Sequence, residues 1–314
     1  MGCLTASRPP IDFNGPVRIT IATFEGMPPE FGADDQLLLR RLRERGVAVT
    51  YVPWSDPAAD WSSPDLVYAR SPWDYSQRHA EFVAWIHGVE ARLENDPALI
   101  EWNSDKRYLA DLAAAGIPVV ETAYVGPGDI PAPFERELVV KPTISAGARD
   151  TGRFGPQSAD EGRALLARIT GRGGTAMIQP FLSSVETAGE TAVVMIAGEV
   201  SHVLRKRPVL RADEVAPTRA DELGVAESMY DPGLVTRGSA EEDEIGLARS
   251  TLAMLVDRFD TTPLVARVDM LRDDAGEPIL LELEAIEPNL YFGQAPEAAE
   301  RLADAIVARA QRDS

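Results

Sequence analysis

The chain has 314 residues, 45% of them hydrophobic and 26% charged, the balance of a folded protein long enough for two domains of ordinary size. Its formal net charge of -19 argues against nucleic-acid binding, which needs basic stripes against phosphate, and leaves any anionic ligand to a few placed cations. Cys3 is alone, so no internal disulfide forms, and His79, His87 and His202 lack ligand spacing, which removes the parts for a zinc centre or a Cys/His nucleophile.

The opening "MGCLTASRPP" has Ala6 where myristoylation needs Ser or Thr, and no apolar run reaches signal-peptide or bilayer-spanning length. A cytoplasmic protein with a flexible tail over residues 1–16 is expected. From there "VRITIAT" reads as a strand, "DDQLLLRRLRER" as a helix stopped by Gly46, and "VAVTYV" as a second strand, a βαβ-like opening. A third strand, "DLVYA", runs into the loop "RSPWDYS", and an amphipathic helix is predicted over about 77–94. All five tryptophans fall in this first third, which marks it as a unit with a boundary near Trp102. "NSDKRYLADLAAAGIP" then reads as a helix capped by Asn103 or Ser104 and closed by Gly116 and Pro118.

After the linker "GPGDIPAP" come the strand "ELVVKP", the loop "TISAGARDTGRFG", the helix "SADEGRALLARIT" and the strand "TAMIQPF", an antiparallel type of alternation. "GETAVVMIAGEVSHVLRKRP" is a hairpin turning at Ala197-Gly198-Glu199. The polar, Pro-punctuated segment 209–238 reads as loop, and the helix "AEEDEIGLARSTLAMLVDRF", the hairpin "VARVDMLRDDAGEPILLELEAIEPN" and a terminal helix from about Pro296 complete the chain.

The last hairpin carries the chemistry. Side chains alternate along a strand, so Arg267 and Asp269 share one face, as do Glu282 and Glu284, and pairing of 269 with 282 brings all four together. Alternating Glu on an edge strand is usually a solvated face; the leucines around Glu282 and the return "EPNLYF" favour a half-buried cleft wall instead. Oxygen ligands without His or Cys suit magnesium, which takes one or two carboxylates and completes its shell with phosphate. Lys106, at a helix start, and Lys141, in the apolar strand "LVVKP", are candidates to hold that phosphate, each a surface lysine on the bland reading. The loop with Ser145, Gly147, Thr151, Gly152 and Gly155 suits backbone N–H groups closing over phosphate oxygens; its alternative is an ordinary turn, and it is no Walker A loop. "VLRKRP" places Arg205, Lys206 and Arg207 at a strand end, a solvated basic run or an anion contact.

In this order, the two lysines, the glycine loop, "IQPF" and the acid-rich terminal hairpin resemble the ATP-grasp superfamily over roughly residues 103–292, with the first βαβ and "SPDLVYARSPWDY" similar to the smaller domain that usually precedes it. The resemblance implies an α/β (α+β) fold: a Rossmann-like pre-ATP-grasp substrate domain over 17–102, a first lobe with a glycine lid over 103–183, and a second lobe with the metal-binding hairpin over 184–314. It implies that Lys106 and Lys141 contact ATP phosphates, that Ser145 and Gly147 belong to the lid, and that Gln179 with the backbone at Phe181 and Leu182 reads adenine. Glu190 is similar in position to the ribose-binding acid, with Glu186 the competing choice.

The same resemblance makes Asp269, Glu282 and Glu284 the magnesium ligands, for two ions, and Arg267 the cation facing the transferred phosphate, with Arg205 and Arg207 on the arm that approaches it. Many relatives carry Asn where this chain has Glu284, and Asn289 is the alternative third ligand. Arg70 is expected to grip a substrate carboxylate, with Ser71 beside it in the substrate site and Trp73, Asp74 and Tyr75 shaping the pocket; Trp73 and Tyr75 serve equally well as interdomain packing.

The implied activity is an ATP-dependent carboxylate-amine ligase acting through an acyl phosphate, similar to small bacterial enzymes of peptide-like and antibiotic metabolism, including the cycloserine-forming cyclo-ligase. The expected partner is a small molecule, with neither nucleic acid nor membrane, and a homodimer stays open. A nucleotide-binding regulator on the same scaffold and a small-molecule kinase are the rival readings.

Overall fold

The computed structural model describes residues 15–26, 32–210, 231 and 233–311; residues 1–14 of the expected tail, and 211–230 and 232 of the polar segment, lie outside the described residues. The first sheet grows from β1 (Arg18–Thr23), α1 (Gly32–Glu44), β2 (Ala48–Pro53) and β3 (Leu66–Ser71), with β2 and β3 parallel to β1 on either side. Asp34 and Asp35 in the first turn of α1, and Arg41 and Arg43 in its last, match the helix dipole, while Leu38, Leu39 and Leu42 face inward. Every residue of β3 is buried, as befits a central parallel strand covered on both faces.

The helix predicted over 77–94 is three pieces: a 3-10 turn at Trp73–Gln77, α2 (His79–Gly88) and β4 (Leu93–Glu94). Gly88 ends the helix, and the parallel pairing of Leu93 and Glu94 with Val67 and Tyr68 overrides local propensity. In α3 (Pro97–Asn103), Asp96 caps the Ala98 N–H and Pro97 takes the first position. Asn103 therefore closes a helix and does not cap α4 (Tyr108–Ala114). Its carboxamide instead donates to the Leu283 carbonyl at 2.9 Å and accepts from the Ala285 N–H at 2.7 Å.

A second sheet is antiparallel, in the order β5-β8-β6-β7, from β5 (Ala123–Val125), β6 (Leu138–Pro142), β7 (Gly152–Phe154) and β8 (Ala176–Pro180). Leu165, Leu166 and Ile169 of α5 (Ala159–Gly171) pack on Val140, Phe154 and Ile178 of that sheet. The short α6 (Ser184–Ala188) leads to the third sheet, order β11-β10-β9-β12-β13. Its strands are β9 (Glu190–Ile196), β10 (Glu199–Lys206), β11 (Val235–Gly238), β12 (Val265–Arg272) and β13 (Pro278–Glu284), with α7 (Glu242–Phe259) between β11 and β12. Ala197 and Gly198, at φ 49° and 93°, make the two-residue turn that joins β9 to β10. The loop expected over 209–238 ends in β11, which pairs antiparallel with β10 and buries Val235.

The final helix, α8 (Glu297–Ala310), returns to the start of the chain: Arg41 meets Glu300 at 2.7 Å and Arg45 meets Asp304 at 2.7 Å. One apolar core joins Ile19, Leu38 and Tyr68 with Val194, Leu204, Leu302 and Ile306, so the third sheet is packed against the first unit and not merely tethered to it. Among the described residues, no helix is long and apolar enough to cross a membrane.

Candidate active site

The pairing of β12 with β13 sets Arg267 opposite Glu284 and Asp269 opposite Glu282, so alternation puts all four on one face. On the other side of β12, β9 and β10 pair Glu190 with Lys206. These side chains line a cleft of about 340 Å³, a volume suited to a small ligand, together with Val139, Lys141 and Gln179 of the second sheet and Trp73 and Tyr75 of the first unit. Apolar β12 and β13 neighbours such as Val268 and Leu283 point to the other face, where they meet Leu252 and Leu255 of α7. The charged face is thus exposed to the cleft because the apolar face is already taken.

Five carboxylates, Glu190, Asp269, Glu282, Glu284 and Glu287, and five cations, Lys106, Lys141, Lys206, Arg207 and Arg267, line the cleft. Lys206 contacts Asp269 at 2.7 Å and also pairs with Glu190. Arg267 contacts Asp269 at 2.8 Å, pairs with Glu284, and donates to the Asn289 carbonyl at 2.9 Å. Lys106 contacts Glu282 at 3.1 Å and donates to the Ser145 carbonyl at 2.7 Å.

Burial alone would raise Asp269, but Arg267 and Lys206 hold its carboxyl well below the usual carboxylate range. Glu282 is likewise kept low against its burial by Lys106 and Lys141. Burial pushes Glu284 up to about 8 against the pull of Arg267, and Glu287 up to about 7. Burial also lowers the Lys141 ammonium, which has no ion-pair partner among the described residues.

The expected nucleotide residues Lys106, Lys141, Ser145, Gly147, Gln179, Phe181, Leu182 and Glu190 all line this cleft. Gln179 donates to Thr122 Oγ1 at 3.0 Å, and the Phe181 N–H to the Glu137 carbonyl at 3.0 Å, so both are held by the second sheet and its edge. The loop after Lys141 coils on itself, with Gly147, Ala148 and Asp150 at φ 61°, 56° and 52°, and its Arg149 reaches Ser76 Oγ at 3.2 Å. Of the two acids proposed for ribose, Glu190 faces the cleft and Glu186 does not: Glu186 pairs with Arg153 at 2.6 Å, beside Phe181.

The basic arm divides by strand alternation. Arg205 points away from the cleft, bonded to Thr191 Oγ1 and, at 3.0 Å, to the Ser239 carbonyl, next to the buried Glu244. Lys206 points in, as alternation counted from Glu190 across the hairpin requires. Arg207, past the strand end, borders the cleft and pairs with Asp231 at 2.8 Å.

Arg70, Ser71 and Asp74 lie outside the cleft lining, contrary to the pocket expected of them. Arg70 pairs with Asp35 at 3.0 Å, both almost fully buried, and donates to the Pro288 carbonyl at 2.9 Å. Ser71 donates to the same Asp35 at 2.6 Å, and Asp74 accepts from Trp54 Nε1 at 2.6 Å. A guanidinium in the first unit cannot stay buried unpaired, and α1 presents its acid first. Trp73 and Tyr75 do line the cleft, and Trp73 Nε1 also donates to the Glu287 carbonyl at 3.3 Å, so lining and packing coincide. Glu287 had no signal in the sequence beyond its place in "EPN".

Asp269, Glu282, Glu284 and Asn289 offer oxygen donors only, the chemistry of a hard cation. Among the described residues, no three His, Cys, Asp or Glu side chains are grouped to hold an ion by themselves. Magnesium suits such a site, because it commonly binds through one or two carboxylates and takes further oxygens from substrate phosphates.

Residues 19–95 match the family described as D-cycloserine synthetase DcsG, N-terminal domain. The chain is 34% identical to the cycloserine biosynthesis protein DcsG of Streptomyces lavendulae over 288 residues, 87% of this chain and 92% of that one. The crystal structure of D-cycloserine synthetase DcsG matches with a TM-score of 0.83 at 30% identity, covering 94% of this chain and 100% of the other. D-alanine–D-alanine ligase from Bacillus anthracis complexed with ATP shares the fold, with a TM-score of 0.65 at 13% identity over 94% and 98% of the two chains. So does the ATP-grasp ligase PsnB complexed with Mg and ADP, with a TM-score of 0.59 at 17% identity over 94% and 99%. This chain belongs to the family of the cycloserine biosynthesis protein DcsG and has the fold of the ATP-grasp ligases.

Proposed function

We propose that this C–N bond-forming ligase uses ATP to activate a small, amino acid-like carboxylate as an acyl phosphate, which an amine then captures. The observation that carries the reading is the charge arrangement of the cleft: Arg267, Asp269, Glu282 and Glu284 on one face of the hairpin, and, lining the same cleft from the second sheet, Lys141, whose ammonium forms no ion pair among the described residues. A buried, unpaired ammonium is costly until an anion reaches it, so Lys141 favours phosphate oxygens.

In the first step a substrate carboxylate oxygen attacks the γ-phosphorus, and the bond to the β,γ-bridging oxygen breaks to release ADP. In the second the amine nitrogen attacks the acyl carbon, the C–O bond to phosphate breaks, and the nitrogen loses a proton. Neither step needs a covalent enzyme nucleophile, in keeping with a cleft lined, among the described residues, by no Cys or His. Lys106 and Lys141 hold phosphate oxygens, Glu190 takes the ribose, and the Gln179 to Leu182 stretch borders adenine. Arg267 stabilises charge on the transferred phosphoryl group, and the loop around Ser145 and Gly147 excludes water. Two magnesium ions held by Asp269, Glu282 and Glu284, with Asn289 and phosphate oxygens, would neutralise charge on the reacting phosphates.

Likeness to DcsG along most of both chains supports an intramolecular form of the reaction, in which amine and carboxylate belong to one molecule and a ring closes. The test is mass spectrometry of products after incubation with ATP, magnesium and a panel of amino acids and O-substituted serines. A condensed or cyclised product with one ADP per turnover supports the ligase. A phosphorylated carboxylate that accumulates in the presence of amine supports a kinase, and nucleotide binding without turnover a regulator.

A further inference from the structure

Of the five acids lining the cleft, four are already matched: Glu190 and Asp269 by Lys206, Asp269 and Glu284 by Arg267, and Glu282 by Lys106. Glu287 is the exception. Among the described residues its carboxylate has no ion pair and is met only by its own backbone N–H, and the cation whose charge it feels most, Lys106, is committed to Glu282 and the Ser145 carbonyl. It lines the cleft beside Trp73 and Tyr75.

The backbone that carries Glu287 is held firmly. Four consecutive carbonyls are each capped by a side chain from a different element: Glu287 by Trp73 Nε1 at 3.3 Å, Pro288 by Arg70 Nη1 at 2.9 Å, Asn289 by Arg267 Nη1 at 2.9 Å, and Leu290 by His202 Nε2 at 2.8 Å. Asp34 adds a bond from the Phe292 N–H at 2.9 Å. Such anchoring fixes where a side chain stands before any ligand arrives. It also places Arg70 as a positioning residue for this segment.

Among the described residues the cleft lining thus has one cation, Lys141, and one acid, Glu287, outside any ion pair, a pattern complementary to a ligand set that carries both an anion and a cation. We infer that Glu287 is a specificity-determining residue that receives the α-ammonium of an amino-acid substrate, with the Trp73 ring as the second contact for that cation. This inference rests on the ligase reading and deepens it, by requiring that the activated carboxylate belong to a molecule with a free, charged α-amino group. A fixed carboxylate and an indole face together suit an ammonium, and a substrate lacking it leaves the acid buried and unpaired.

The experiment supplies hydroxylamine as a common nucleophile, so that acyl-phosphate formation is read as hydroxamate and ADP whatever the natural amine is. O-substituted serines are compared with their N-acetyl and 2-hydroxy counterparts, on the wild type and on Glu287→Gln and Glu287→Asp. Expected are hydroxamate from the free amino acids only, and a KM for them raised about 10- to 100-fold in Glu287→Gln, with KM for ATP changed less than about twofold and partial recovery in Glu287→Asp. Equal reaction of free and N-acetylated substrates overturns the inference while the ligase reading stands, and needs no variant. An unchanged KM in a Glu287→Gln protein that still binds a non-hydrolysable ATP analogue overturns it as well. Absence of hydroxamate from every carboxylate overturns the ligase reading and the inference together.

Discussion

Arg70 Nε stands 3.0 Å from Asp35 Oδ1 in a pair whose side chains are 1% and 2% exposed, and the same guanidinium caps the Pro288 carbonyl. The first parallel sheet thus reaches the cleft through one residue that touches no ligand space. Removing one partner of such a pair leaves a buried charge unmatched, which typically costs about 3–5 kcal/mol. Arg70→Ala is therefore expected to lower the unfolding free energy obtained by urea titration by an amount in that range, with no comparable loss in Arg92→Ala, whose guanidinium is partly exposed. An unfolding curve like that of the wild type would refute the structural role.

Strand alternation separates the two neighbours on β10. Lys206→Gln should reduce magnesium-dependent ATP turnover by at least about tenfold, since it removes the ammonium shared by Asp269 and Glu190. Arg205→Gln, whose side chain bonds Thr191 and the Ser239 carbonyl, should leave KM for ATP within about twofold. Steady-state ADP release on both variants decides between this assignment and one in which Arg205 reaches phosphate.

Glu282 lies opposite Asp269 and accepts from Lys106, so its substitution touches both metal and phosphate binding. Glu282→Gln should raise the magnesium concentration needed for half-maximal ATP turnover by about tenfold or more. A magnesium titration superimposable on the wild type removes Glu282 from the ligand set.

His202 donates Nε2–H to the Leu290 carbonyl, and burial lowers its pKa below 6.5. A His depressed in the folded state gives stability that is complete above its unfolded pKa, about 6.5, and is lost as pH falls below that value towards the folded pKa. The melting temperature should fall on acidification from about pH 6.5, and His202→Gln should flatten that part of the profile. An unchanged slope in the variant would assign the acid sensitivity to other groups.

The loop carrying Ser145 and Gly147 reaches the first unit through Arg149, 3.2 Å from Ser76 Oγ. Closure over a nucleotide should slow proteolysis within residues 145–155 when magnesium and a non-hydrolysable ATP analogue are present. Cleavage at the same rate with and without them contradicts a lid.

Much of this site was legible in one dimension. The hairpin of Arg267, Asp269, Glu282 and Glu284 follows from period-two alternation and a turn at "DDAGEP", and its register is as expected from the sequence. The β9–β10 turn was equally plain, because Ala197-Gly198 supplies the positive φ that a two-residue connection requires. The elements misread were those whose form depends on a distant partner: Leu93–Glu94 is a strand because Val67 and Tyr68 lie beside it, and Asn103 serves the backbone of β13 instead of a helix end.

Local chemistry, then, was enough to name the charged residues that line the cleft, Lys106 and Lys141 among them, because strand periodicity and residue type act within a few positions of the chain. Which acid meets which cation is a matter of strand pairing and packing between segments far apart in sequence. Lys206 rather than Arg205 faces Asp269 because β10 pairs with β9 in a set register; Arg70 turns to Asp35 because burial without a partner is too costly. Glu287 stands outside any ion pair for the same reason: four side chains from separate elements hold its segment beside Trp73 and Tyr75, where no cation among the described residues pairs with it.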